Sequence, residues 1–75
     1  MSDFFKKYVT KQIYWRLLDS GLPTGTLSNL RYDKNIPRPY ILKKVVFVVA
    51  AELDLDFEEL LWESICMIAG DEYNA

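Results

Sequence analysis

Apolar residues recur at intervals of three and four along most of this chain, which is the spacing of one face of an α-helix. Two short amphipathic helices come first. Ser2 is the expected N-cap of one and Thr10 of the other, because a hydroxyl there can accept from an amide of the first turn. The second helix is predicted over Lys11–Ser20. Gly21 ends it, since a glycine just past the last apolar position readily adopts the left-handed conformation of a helix stop.

A third helix, of about eight residues, is predicted after this turn. Pro23 is expected to open it, because proline is tolerated in a first helical turn, and Leu27 and Leu30 supply its apolar positions. The segment Asp33–Pro39 combines two prolines with polar turn formers and little periodicity. It is therefore predicted to be a loop.

The segment Tyr40–Leu53 is ambiguous between strand and helix. Its centre, Val45–Val49, has the β-branched composition of a buried strand. The apolar run, however, continues over about fourteen residues without a turn signal, and the rest of the sequence offers no obvious partner strand. We therefore predict a central helix that is buried on nearly all sides.

Asp56 is expected to cap a fifth helix, with Glu59 reaching back to the backbone of the cap. This helix is predicted from Phe57 to about Ile68. The residues on its apolar side, expected to face the core, are Leu60, Leu61, Ser64, Ile65 and Ile68. The pattern thus predicts an all-α fold, a compact five-helix bundle over residues 1–70, with a frayed C-terminal tail over residues 71–75.

The length of 75 residues and a hydrophobic content of 51% fit one small globular domain. A domain of this size buries only about 60% of the surface that its unfolded chain exposes. Its stability is then marginal unless another subunit or partner covers apolar surface. Dimerisation is therefore expected from size alone.

The charges are strongly segregated along the chain. The net charge is −2, yet residues 1–44 hold all nine cations and only three acids, a net charge of +6. Residues 45–75 hold eight acids and no cation, a net charge of −8. Such asymmetry indicates a surface that binds a polyanion, the alternative being a segregation of surface charge without function.

Few residues in this chain can carry catalysis or hold a metal. There is no histidine, and Cys66 is the single cysteine, so an internal disulfide and the usual zinc ligand sets are excluded. We therefore expect no enzymatic activity and no cofactor. The longest apolar run, Val45–Ala51, is seven residues long and the N-terminus has no leader-like apolar run, which predicts a soluble, cytoplasmic protein without a membrane partner.

Two segments resemble a known family. Gly21–Leu30 resembles the turn and recognition helix of the phage repressor and Cro family of helix-turn-helix (XRE-type) DNA-binding domains. Ala50–Leu61 resembles the end of that family's fourth helix and the start of its fifth. The resemblance spans residues 10–61 and implies a lambda-repressor-like bundle that binds double-stranded DNA.

The third helix then has one face held by leucines and another free for DNA. On the free face Thr24, Gly25, Ser28 and Asn29 match family positions that meet base edges, and Tyr32 matches one that touches phosphate. Small hydrogen-bonding side chains of this kind suit the major groove. The residues expected to contact the DNA backbone are Lys11, Gln12, Arg31, Tyr32, Lys34, Arg38, Lys43 and Lys44. For each lysine the alternative is an ordinary solvated surface charge.

Helix two departs from the family pattern. Arg16 and Leu17 stand where the family has an apolar and then a small residue, and Ile13 stands where it has glutamine, with Gln12 one position early. Either helix two is rotated or shifted by about one residue, or the helix pair packs unusually.

The sequence contains eleven aromatic residues, more than a bundle this small can bury. Trp62, Cys66 and Met67 are expected on the outer sides of helix five, where they would form a two-fold dimer contact, unless Trp62 belongs to the core. The predicted function is a small phage- or plasmid-like transcriptional regulator, a repressor rather than an activator, that binds operator DNA as a homodimer. The alternative is a protein-interaction module on the same scaffold, such as a phage modulator that binds a repressor or host protein.

Overall fold

Five helices make up the fold. The computed structural model describes residues 1–32 and 37–73, and these residues form no strand. The helices are α1 (Ser2–Tyr8), α2 (Lys11–Asp19), α3 (Thr24–Tyr32), α4 (Pro39–Leu53) and α5 (Phe57–Tyr73). The all-α five-helix bundle predicted from the sequence is thus confirmed, including a helix rather than a strand through the valine-rich segment.

Thr10 caps α2 and Asp56 caps α5, as predicted, but the predicted bond from the Glu59 side chain back to the backbone of the cap is not among the hydrogen bonds of the described residues. The Thr10 hydroxyl accepts from the amide of Ile13 at 3.3 Å. The Asp56 carboxylate accepts from the amides of Glu58 and Glu59 at 2.8 and 3.2 Å. Each cap satisfies amide groups that would otherwise lack a partner within the helix.

The predicted cap of α1 is wrong. Ser2 is the first residue of the helix, Met1 is the N-cap, and no side chain caps this end. The reason lies in the backbone, where the Met1 carbonyl accepts from the amide of Phe5 at 3.1 Å and so starts the first turn one residue early. The serine hydroxyl is then inside the helix rather than ahead of it.

Proline positions set the starts of α3 and α4. Pro23 lies just before α3, and its carbonyl accepts from the amide of Leu27 at 3.1 Å. Pro39, predicted to close the loop, is instead the first residue of α4, because the Arg38 carbonyl accepts from the amide of Leu42 at 3.0 Å. Helix α4 ends at Asp54, which has a φ of 54° in the left-handed region.

Helix α5 is longer than predicted. Its backbone is helical to Tyr73, beyond the predicted end near Ile68 and into the predicted tail. The prediction placed the end at the last apolar position, whereas intrahelical hydrogen bonds continue without apolar side chains.

The core is built around α4. Helices α2 and α5 both pack against α4, and α1 packs against α3 and α5. The side chains with the least exposure are Phe4, Leu17, Leu27, Val45, Val46, Val49 and Ser64. The Ser64 hydroxyl donates to the Leu61 carbonyl at 2.7 Å, so this buried polar group is satisfied within its own helix.

Two predictions about burial are wrong. Helix α4 is not buried on nearly all sides, since Tyr40, Lys43, Lys44 and Phe47 form an exposed stripe and Phe47 is 64% exposed. Ile65, expected in the core, is 39% exposed. Helices α2 and α5 cover one side of α4 and leave its other side exposed. In α5, likewise, only some of the apolar residues are buried.

No helix among the residues described is both long enough and apolar enough to cross a membrane.

An ion pair and a hydrogen bond to one carboxylate join α1 to α5. The Lys7 ammonium lies 2.6 Å from one Glu63 carboxylate oxygen, and the Tyr8 hydroxyl donates to the other oxygen at 2.6 Å. The hydrogen bond from Lys7, followed by that from Tyr8, lowers the pKa of Glu63 below its ordinary value. Both bonds favour the charged form of the carboxyl group.

Replacing Glu63 with Gln is expected to lower the free energy of unfolding at pH 7 slightly, since the charge-assisted bonds to Lys7 and Tyr8 are weakened but the groups are largely exposed to solvent. The folded pKa of Glu63 is depressed, so its contribution is present above the unfolded pKa and is lost as the pH falls through the folded pKa. Urea unfolding at neutral and acid pH should therefore show a smaller acid loss for Glu63→Gln than for the wild type. Tyr8→Phe, which keeps the ion pair, should show an intermediate loss. An equal acid loss in Glu63→Gln and wild type would contradict the assignment.

Candidate nucleic-acid interface

The predicted base-reading residues share one outer face of α3. Thr24, Gly25, Ser28 and Asn29 are all exposed. Leu27 and Leu30, on the opposite face of the same helix, are buried. The alternation follows the 3.6-residue period of the helix, so packing of the leucines fixes which residues point outward.

The turn before α3 is fixed by Gly21 and lies beside a lysine of α4. Gly21 has a φ of +99°, a conformation that side chains disfavour, and Leu22 behind it is buried. The Lys44 ammonium nitrogen lies 3.7 Å from the place where a Cβ on Gly21 would stand. The packing of α4 therefore brings a cation to the turn before α3.

Cations also lie at the other end of α3. Lys11, at the start of α2, and Arg31, in the last turn of α3, line the same cleft. The Arg31 guanidinium lies over the ring of Tyr32, 5.4 Å from its centroid. Three of the predicted backbone-contacting residues thus meet where α3 ends.

The other residues predicted to contact the DNA backbone are not grouped at the ends of α3. Gln12 is exposed beside Lys11 on the outer side of α2. Arg38 is the exposed N-cap of α4, and Lys43 lies on the exposed stripe of that helix. No hydrogen bond or ion pair of the described residues joins the side chain of Arg38 or Lys43 to α3. Lys34 lies outside the described residues.

Two ion pairs join the basic and acidic parts of the chain in its described portion. They are Lys7 with Glu63 at 2.6 Å and Arg16 with Glu52 at 3.4 Å. Neither cation belongs to the set predicted to contact DNA. Within the described ranges, the cations of that set are therefore not neutralised by an internal ion pair.

The unusual residues of helix two are explained by its packing. Ile13 and Leu17 are both buried, so the apolar face of α2 points into the core. Gln12 is consequently the exposed polar residue near the start of α2. Arg16 is exposed and pairs with Glu52 near the end of α4.

Sequence reasoning did not single out Lys6 or Trp15, which line the cleft together with Lys11 and Arg31. Trp15 is 58% exposed. The helical period around Ile13 and Leu17 places residue 15 on the outer side, so exposure of Trp15 could have been predicted. Trp15 lines the same cleft as Lys6 and Arg31 because of how three helices pack, and no local sequence pattern predicts this.

Two of the three residues predicted to form the dimer contact are exposed, and the third is partly buried. Trp62 is 66% exposed, and Cys66, one turn further along α5, is also exposed. Met67 is half-buried and packs against the core. The core role considered for Trp62 is therefore excluded, and Trp62 and Cys66 form the outer side of this helix.

The chain matches no protein-family model, and comparisons with curated proteins and with solved structures also gave no match. Membership of the repressor and Cro family therefore stays a prediction carried by the residues themselves.

Two glycines near the interface give a matched test of the turn. Gly21→Ala is expected to lower the free energy of unfolding by about 1 kcal/mol or more, because alanine is strained at a positive φ. Gly25→Ala adds a Cβ with nothing within 4 Å in the first turn of α3, so it should be neutral or stabilise by less than about 1 kcal/mol. Urea unfolding of both variants measures the difference. Equal effects of the same sign would rule out the special role of Gly21.

Proposed function

We propose that this chain is a sequence-specific DNA-binding transcriptional regulator, phage- or plasmid-like, that acts in the cytoplasm as a homodimer and places α3 in the major groove of operator DNA. The observation that carries the proposal is the combination of an exposed, uncharged polar face on α3 with cations beside the turn that precedes this helix and at its end. Lys44 lies beside Gly21 in that turn, and Lys11 and Arg31 line a cleft at the end of α3.

Base recognition is assigned to the outer face of α3. The helix has nine residues, a length of about 14 Å, and the major groove admits a helix of this kind. Thr24 and Gly25 occupy the first turn, and Ser28 and Asn29 the second. An asparagine amide can bond bidentately to adenine, and serine or threonine hydroxyls can bond to several base edges. The small side chains also allow the helix backbone to come close to the groove floor.

Affinity is assigned to the flanking cations. Phosphate contacts fix the register and orientation of a protein on DNA without reading its sequence. Lys44 lies beside the turn before α3, and Lys11 and Arg31 lie near its end, so we assign them to phosphates that flank the groove. Because neither ion pair of the described residues uses these three side chains, their charge remains available to phosphates.

A homodimer is assigned to the outer side of α5, through Trp62 and Cys66, with Ile65 beside them. A two-fold dimer of this kind places two recognition helices about 34 Å apart, one turn of DNA. Repression is assigned to occlusion of the operator by the bound dimer.

A second candidate function is a protein-interaction module on the same scaffold. It is favoured by the exposed aromatic residues of α4, where Phe47 is 64% exposed and packs edge-on against Phe57 with their ring centroids 6.2 Å apart. Such aromatic surface is typical of protein interfaces.

Binding to a randomised pool of duplexes, followed by mobility shift at two salt concentrations, tests the DNA proposal. Asn29→Ala is expected to relax the preference at one base position and to cost about 1–3 kcal/mol on the selected site. Lys44→Ala is expected to weaken all sequences alike and to reduce the salt slope by about 1. Arg16→Ala, which removes a cation already paired with Glu52, serves as the control and should have a smaller effect. Failure to select any sequence would favour the interaction module instead.

Sedimentation equilibrium tests the dimer. Trp62→Ala is expected to weaken the dimer at least tenfold, because a large aromatic side chain at an interface centre typically contributes more than about 1.4 kcal/mol. Trp15→Ala removes the other exposed tryptophan, on α2, and should leave the dimer intact. A monomeric wild type, or an equal effect of the two substitutions, would refute the proposed surface.

A further inference from the structure

A cleft lies where α1, the start of α2 and the end of α3 meet. Its volume is about 580 Å³, within the range of about 300–1,000 Å³ that is usual for small-molecule sites. Phe5 is buried and lies at its bottom, whereas Trp15 is 58% exposed and stands at its edge. The half-buried ring of Tyr14 lines it as well.

The cleft combines aromatic walls with concentrated positive charge. Lys6, Lys11 and Arg31 all line it, each from a different helix. None of the lining residues in the described part of the chain is acidic. Neither of the two ion pairs found there uses these cations, so their charge is not consumed internally.

The aromatic lining and the three cations together indicate which class of ligand the cleft can bind. An aromatic wall favours a planar ring, which can stack on an indole or phenol face. Three cations within one cleft favour a group with more than one negative charge, such as a phosphate monoester, which carries about −1.5 to −2 at pH 7. A duplex phosphate alone would use the cations but not the rings, since the bases of a duplex are already stacked.

We propose that this cleft binds a nucleoside monophosphate, with the base against Trp15 and Tyr14 and the phosphate among Lys6, Lys11 and Arg31. The free nucleotide and the phosphorylated end of a single strand share this chemistry. The inference goes beyond the proposed function and does not rest on it, because binding is measured without duplex DNA.

Tryptophan fluorescence during titration with adenosine monophosphate tests the site. In Trp62→Phe, where Trp15 is the remaining tryptophan, the nucleotide is expected to quench the emission in a saturable way. In Trp15→Phe, where Trp62 remains, no saturable change is expected, and this variant also corrects for light absorbed by the nucleotide. Absence of saturable quenching in Trp62→Phe, confirmed by absence of heat in calorimetry with the wild type, would overturn the proposal.

The two halves of the ligand are tested separately. Adenosine, which lacks the phosphate, and inorganic phosphate, which lacks the ring, should each bind at least tenfold more weakly than the monophosphate. Equal binding of inorganic phosphate would reduce the site to a simple cluster of cations and overturn the assignment. A 5′-phosphorylated single-stranded oligonucleotide distinguishes the sources, because tighter binding than the monophosphate assigns a strand end and weaker binding assigns the free nucleotide.

Charge variants test the placement of the phosphate. Lys11→Gln and Arg31→Gln should each weaken binding of the monophosphate by about two- to fivefold, as expected for partly exposed ionic contacts. Lys43→Gln makes the same change in net charge on α4, outside the cleft, and should leave binding unchanged. An equal loss in all three variants would show that overall charge, not the cleft, attracts the nucleotide. Circular dichroism of each variant establishes that the fold is retained.

Discussion

Burial of the valine face of α4 is the constraint on which the rest of the molecule depends. Val45, Val46 and Val49 are fully buried, and α2 and α5 both pack against this helix. Since one side of α4 is fixed in the core, its other side must face outward, and Lys44 is carried to the turn before α3. The same apolar packing that stabilises the bundle therefore places a cation of the proposed DNA interface.

The basic and acidic parts of the sequence meet in the fold through two ion pairs, which use only two of the cations. Lys7 and Arg16 pair with acids of the second part of the chain, Glu63 and Glu52. Both pairs are substantially exposed, so each contributes little to stability. Neither ion pair uses the other cations of the described residues, which are Lys6, Lys11, Arg31, Arg38, Lys43 and Lys44.

Features fixed by a few neighbouring residues were predictable, and features fixed by packing were not. Thr10, Asp56 and Gly21 have the expected roles because capping and glycine turns involve adjacent backbone groups. The exposed face of α3 follows from the spacing of its leucines. An unbroken apolar run, however, does not reveal which side lacks a neighbour, so exposure of Phe47 was missed. The cleft was missed for a similar reason, because Lys6 and Arg31 meet only through the packing of α1 against α3.

The two proposals share part of their chemistry. Helix α3 carries no cation before Arg31, so the proposed base-reading face is uncharged and its affinity for DNA must come from residues that tertiary packing brings to its ends. Lys11 and Arg31 are among these residues, and they also line the aromatic cleft. A phosphate held in the cleft and a phosphate of DNA would therefore draw on the same two charges. Under both proposals, occupancy of the cleft opposes DNA binding, because a phosphate monoester with a charge of about −1.5 to −2 takes up the charge of both cations.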